Sequence, residues 1–231
     1  MDFTPIAYLH TCYDEKFGIP RQSGIVKDAW GELTFTPEYR NIDSLRGLEG
    51  FSHLWLIFIF HQAKLEQWKP TVRPPRLGGN AKVGVFASRS PFRPNPIGMS
   101  CVEIDQIDYT NPQSPIIKLL GVDLVDNTPI LDIKPYIPYA DSIPNAKSGF
   151  ANDAPLSLPV YWDVNIHPHE LPRNLRELIE ATLAADPRPA YHHSNSQREY
   201  GCLISGYNII WTVTAKGITI RSYSQHLDKK D

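Results

Sequence analysis

Cysteine is scarce and unpaired in this sequence: Cys12, Cys101 and Cys202 are three in number, lie far apart and show no C-x-x-C spacing. That excludes a disulfide framework and a thiol-rich metal cluster, and it fits a reducing compartment. Long hydrophobic runs are missing too. The longest, "LWLIFIF", has seven residues, where a membrane helix needs about 20. The first residues, "MDFTPIAYLHTCYDEK", lack the basic stretch and apolar core of a secretory leader, so the chain reads as a soluble cytoplasmic protein.

The common phosphate-binding and nucleophile signatures are also absent. No G-x-G-x-x-G joins a strand to a helix, no G-x-x-x-x-G-K-[ST] occurs, and "LGGN" alone carries no weight; a Rossmann domain and a P-loop are therefore not expected. No G-x-S-x-G elbow is present, and Ser88 and Ser90 beside Pro91 read as loop hydrogen-bonders. "HPH" at 167–169 and "HH" at 192–193 stand in polar loops without a matching cysteine or second pair, so no metal is expected.

Acidic residues are missing from one place in particular. Of 23 lysines and arginines and 25 acidic residues, the stretch from Gln67 to Val102 holds six of the former (Lys69, Arg73, Arg76, Lys82, Arg89, Arg93) and none of the latter. A formal charge of −2 thus hides a strongly basic segment in an otherwise acidic chain. Its arginines alternate with proline and glycine in "TVRPPRLGGN" and "SRSPFRPNP". Proline fixes φ and cannot donate to a ladder, so Pro91, Pro94 and Pro96 describe a stiff loop that holds the guanidinium forks of Arg89 and Arg93, with Asn95 after them. Such forks suit phosphate or carboxylate recognition.

What is present elsewhere is β pattern. Seven strand-length segments precede residue 137: "TPIAYLHTCY", "GELTFT", "SHLWLIFIFH", "AKVGVFAS", "IGMSCVEIDQID", "PIIKLLGVDLV" and "TPILDIKPY". A mainly β fold follows, with a small barrel or sandwich of about seven strands over residues 1–148. One helix is expected in "PEYRNIDSLRGLEG", between Pro37 and a terminal glycine. After the polar, proline-rich "IPYADSIPNAKSGFANDAPLSLP" comes a small α+β unit over 149–231: the strand "PVYWDVNI", a helix from Pro172 through "RNLRELIEATLAAD", then the strands "YGCLISGYNIIWTVTA" and "GITIRSYS". Two polar clusters, His61–Gln62 after the most apolar strand and Asp126–Asn127 before Thr128–Pro129, stand at strand ends that could meet on one barrel rim; on the residues alone a structural histidine and an Asx turn are the preferred explanations.

Together, "GVFASRSPFRPNPIGMS", "PRQSG", "GFSHLWLIFIFHQ", "RPPRLGG" and "LVDNTPILDIKPYIPYAD" resemble the TrmO (YaeB-like) family of tRNA methyltransferases, and "DPRPAY" with the last strands resembles the C-terminal domain of its bacterial members. The resemblance implies a homodimeric β-barrel that uses S-adenosyl-L-methionine to methylate N6 of threonylcarbamoyladenosine at position 37, in the tRNA anticodon stem-loop. It implies cofactor contacts at Pro20, Arg21, Gln22, His61, Gln62, Arg89, Met99, Asp126, Asn127, Thr128 and Pro129, and substrate contacts at Arg73, Arg76, Arg93 and Asn95. Many members carry glycine where Asn127 stands. The proton on the accepting nitrogen could leave to Asp126, to His61 or to a tyrosine. A non-enzymatic RNA-binding barrel and a small-molecule methyltransferase are the competing readings.

Overall fold

A computed structural model describes residues 3–63, 67–188 and 198–226. Six strands close into an antiparallel barrel in the order β1 (Ala7–Thr11), β2 (Trp30–Phe35), β7 (Ile116–Leu120), β6 (Ile97–Asp108), β3 (His53–Ile59), β8 (Thr128–Pro135) and back to β1. Alternation decides which side chains fill it. Leu9, Leu33, Leu54, Leu56, Ile117, Leu119 and Ile130 point inward and are buried, while their sequence neighbours face out.

Strand β6 is twelve residues long and pairs with β3 along Ile97–Glu103 but with β7 only from Glu103 onward. Its first half therefore opens a corner beyond the end of β7. Gly98 inside that half lies opposite Phe58, whose ring occupies the space a Cβ would take. The chain between β3 and β6 leaves the barrel as an arm: β4 (Thr71–Val72) pairs with β5 (Val83–Gly84), and Val85 N–H closes it on the Pro70 carbonyl at 2.9 Å. Of the expected seven strands, "AKVGVFAS" yields only this two-residue β5 and a short 3-10 turn, because β4 is its sole ladder neighbour.

The helix expected from Pro37 is absent; Ile42–Leu45 and Leu48–Gly50 form 3-10 turns instead. Leu45 is the one fully buried residue there, so no apolar stripe exists to hold a helix on the core. Beyond β8, the turn of α1 (Pro138–Asp141) is tied back to β3 by Trp55 Nε1–H donating to Asp141 Oδ2 at 3.1 Å.

The C-terminal unit is a sheet ordered β10 (Glu199–Ile204), β11 (Tyr207–Thr214), β12 (Gly217–Gln225), β9 (Val160–Trp162), with β9 parallel to β12. Helix α2 (Arg173–Ala184) buries Leu175, Leu178, Ile179 and Leu183 against it. The expected single strand over 200–215 is two, because Ser205 (φ 48°) and Gly206 (φ 73°) turn the chain. Barrel and sheet share one buried core. Phe17 stacks on Trp211 at 6.4 Å, Tyr13 Oη meets Thr182 Oγ1 at 3.2 Å, and the main chain of Tyr13 bridges Ile204.

Candidate functional site

Strand direction puts the polar motifs on one rim. Strand β1 ends there at Thr11 and β2 begins there, with residues 20–24 between them; β3 ends there and gives His61 and Gln62. Loop 88–96 enters β6 at the same rim, β7 runs out into Gly121–Val125, and β8 begins with Asp126, Asn127 and Thr128 just before or at its first residue. Each of the three loop pairs is joined by short contacts. Arg89 Nη1 donates to Gln22 Oε1, Lys16 Nζ donates to the Gln62 carbonyl at 2.6 Å, and Gly24 N–H donates to the Gly121 carbonyl at 2.9 Å. Gly24 and Gly121 approach so closely, both with positive φ, that a side chain at Gly121 would strike the Gly24 backbone.

Asp126 is held in place. Its Oδ1 accepts from Thr11 N–H at 2.9 Å and lies 3.5 Å from His10 Nδ1, while its own N–H donates to the Tyr13 carbonyl at 2.8 Å. Asn127 takes φ 60°, a conformation asparagine tolerates better than most residues, and Thr128 Oγ1 donates to the Val125 carbonyl at 2.6 Å. His61 is exposed at the rim, and desolvation, helped by nearby Lys16, holds its imidazole below the usual histidine range. It is therefore neutral at pH 7 and can accept a proton.

The remaining expected residues divide into two groups. Pro20 is buried, Arg21 donates from Nη2 to the Arg188 carbonyl at 3.1 Å, Met99 is 53% exposed on the outer face of β6, and Pro129 is in register with Tyr8. Arg93 belongs to the loop itself: its Nη1 donates to the carbonyls of Ser88 (2.7 Å) and Val85 (3.3 Å), with the guanidinium 5.8 Å over the Phe86 ring. Asn95 is exposed, and its carbonyl accepts from Ile97 N–H at 2.7 Å. Arg73 and Arg76 stand apart on the β4–β5 arm. Arg73 is exposed without a side-chain partner among the described residues, whereas Arg76 donates to the Asp153 carbonyl.

The sequence reading missed Asp123. It lies three residues before Asp126, in the corner that β7 leaves open beside β6, with Ser100, the Ser23 backbone and Arg89 around its carboxyl group. The residue as a whole is half-buried, but Oδ1 is sealed from solvent and has no hydrogen-bond partner. Burial outweighs the three favourable neighbours and pushes the carboxyl up to about 6. Only its "VDLVD" spacing from Asp126 hinted at it. By contrast, the thiols of Cys12 and Cys202 are pushed up to about 12 by burial and stay protonated. His167 and His169 lie ring to ring at 5.6 Å, and no group of three metal-ligating side chains occurs among the described residues. His192, His193 and the end of "DPRPAY" lie outside those residues.

Comparison with known proteins decides the family. Residues 8–142 match the tRNA-methyltransferase O N-terminal domain, and residues 160–225 match the TrmO C-terminal domain. The chain belongs to the TrmO family. A tRNA (adenine(37)-N6)-methyltransferase of Escherichia coli K12 is 45% identical over 225 residues, 94% of this chain and 95% of that protein. A putative S-adenosylmethionine-dependent methyltransferase RcsF of Pseudomonas aeruginosa is 42% identical, covering 90% of each. The crystal structure of TrmO from Pseudomonas aeruginosa superposes with a TM-score of 0.79 at 35% identity, covering 97% of this chain and 98% of that one.

Asp123 gives a direct check on this rim. Its folded value of about 6 exceeds the ordinary 3.8, so the native state binds more protons than the unfolded one between those values. Stability attributable to Asp123 is greatest below pH 4 and falls as pH rises through 6, by about 3 kcal/mol in all. Thermal unfolding of Asp123→Asn against the parent protein reads it: the variant should gain relative stability from pH 4 to pH 7 and level off above. A difference independent of pH would remove the perturbed carboxyl.

Proposed function

We propose that this protein transfers the methyl group of S-adenosyl-L-methionine to N6 of threonylcarbamoyladenosine at position 37 of tRNA. The observation that carries the reading is the convergence of the TrmO motifs on one barrel rim, with a basic arm beside it. The residues present fit the cofactor: Arg89 and Gln22 offer donors for a carboxylate and hydroxyls, Asp123 offers an unused acceptor, and Met99 an apolar contact. Pro20, Arg21, Gln62, Asn127, Thr128 and Pro129 complete that wall.

The cofactor supplies a methyl group already activated on a sulfonium centre. The protein's part is alignment and removal of one proton. His61, exposed on the rim and neutral at pH 7, is the acceptor we favour for the N6 proton, because Asp126 spends its Oδ1 on Thr11 and His10. Asp126 then holds the Asn127–Pro129 turn against the cofactor. Arg93 and Asn95 on the stiff loop, with Arg73 and Arg76 on the arm, face the anticodon stem-loop and the threonyl carboxylate.

The outer faces of β3 and β6 pair Ile59 with Ile97, Ile57 with Met99 and Trp55 with Cys101, an apolar strip beside the rim. Ile97 is 37% exposed, and Phe86, at 73%, and Phe92 add aromatic surface on the loop between arm and β6. This strip supports a homodimer with the cofactor near the subunit contact. Free cysteines and a tRNA substrate agree with work in the cytoplasm.

Incubation with labelled cofactor and tRNA carrying or lacking threonylcarbamoyladenosine, followed by nucleoside analysis, tests the activity. Label should enter only the modified nucleoside, and Arg73→Ala should lower the salt slope of tRNA binding by about 1; label in unmodified tRNA or in no tRNA sinks the reading. In single-turnover assays His61→Ala should slow transfer by roughly 10²–10⁴-fold, whereas Asp126→Asn, which keeps an acceptor oxygen for Thr11, should slow it far less. The reverse order would move the proton to Asp126. Ile97→Glu should convert a dimer to a monomer in sedimentation equilibrium, and an unchanged mass would place the subunit contact elsewhere.

A further inference from the structure

We infer that Asp123 is a ligand-binding group of the methyl-transfer site: its unpartnered carboxylate oxygen accepts a hydrogen bond from the α-ammonium of the cofactor's methionine moiety, while Arg89 beside it takes the α-carboxylate. The inference rests on the cofactor reading above and assigns the residue that reads the amino group.

Three observations converge on it. Asp123 Oδ1 is sealed from solvent without a donor, a condition folded proteins avoid unless a ligand supplies the missing bond. Its surroundings adjoin the loops assigned to the cofactor. The Ser23 backbone, next to Gln22, and the Ser100 side chain, on the buried face of β6 opposite Met99, hydrogen-bond the carboxyl group, and Arg89 is close enough to stabilise its charged form. The Gly24–Gly121 contact holds loop 20–24 against the segment that carries Asp123.

Charge sets the ligand chemistry. A guanidinium and a carboxylate side by side complement an α-amino acid zwitterion, the one part of the cofactor that carries both signs on adjacent groups. Arg89 already points its Nη1 at Gln22 Oε1 and leaves its other donors for a carboxylate. Asp126, the other carboxylate of "VDLVDN", is unsuited to the ammonium because its Oδ1 is occupied by Thr11 N–H.

Calorimetric titration of the full-length protein with S-adenosylhomocysteine and with its deamino analogue, in which hydrogen replaces the α-amino group, tests it. The parent protein should prefer the amino-bearing ligand by roughly 10- to 100-fold, the range of one charge-assisted hydrogen bond. Asp123→Asn should bind S-adenosylhomocysteine more weakly by a similar factor and lose the preference. Asp123→Ser serves as a second variant, with thermal unfolding as the check of folding, and the comparison of two ligands on the parent protein needs no variant. Equal affinity of the parent for both ligands overturns the inference, as does a full preference retained in the variants. Unchanged binding with slowed single-turnover transfer would give Asp123 to the proton step and overturn it equally. Binding of neither ligand by the parent would bring down the cofactor reading itself.

Discussion

The seam between β1 and β8 is where the barrel closes, and it is short. Three residue pairs make it, Ala7 with Ile130, Tyr8 with Pro129 and Leu9 with Thr128, and one partner is a proline with no N–H to give. Ile6 N–H reaching the Ile130 carbonyl at 2.8 Å lengthens the seam at one end. Asp126 lengthens it at the other by taking Thr11 N–H on a side-chain oxygen, where a ladder would have used a carbonyl. Six strand ends hold their mutual positions only if this ring stays shut. Asp126, which the proposed function sets beside the cofactor, therefore also works as the last rung of the sheet, and substitutions there will mix stability with any effect on activity.

Electrostatics divides the rim from the arm. From Gln67 to Val102 the chain carries six basic residues and no acidic one, so this segment attracts polyanion at long range. On the rim, Asp126 is tied to Thr11 N–H, while Asp123, beside Arg89, keeps one buried oxygen without a partner. A half-closed site that holds one uncompensated carboxylate is less stable empty than occupied, and ligand binding should raise the unfolding midpoint of this protein more than contact area alone implies.

Much of this was legible in the sequence for a simple reason: barrel strands must alternate, and β1, β2, β3 and β7 do. The failures have equally local causes. Residues 37–50 contain helix punctuation but only Leu45 to bury, so propensity had no packing to support it. The turn at Ser205–Gly206 was hidden within a continuous apolar run, although the Ser-Gly dipeptide is a turn signal in its own right. The rim residues could be grouped from the resemblance but not from spacing, since they come from five separated segments that only barrel closure assembles. Asp123 lay beyond reach because nothing in "GVDLV" says which side chain loses water, and that depends on β7 ending opposite Glu103 while β6 reaches back to Ile97.

The contacts that join barrel to C-terminal sheet span almost the whole chain. Glu15 accepts from Leu203 N–H and Asp14 from Gly206 N–H, across 188 and 192 positions. On a ribosome adding about 5–20 residues per second, the first of these groups waits roughly 10–40 s for its partner. During that interval the barrel can close, since β8 is finished by residue 135, but Tyr13 and Phe17 still face water where Ile204 and Trp211 will lie. The nascent protein thus passes through a stage with a closed barrel and an uncovered aromatic flank. That flank is what a chaperone would meet, and what a truncated transcript would leave exposed for good.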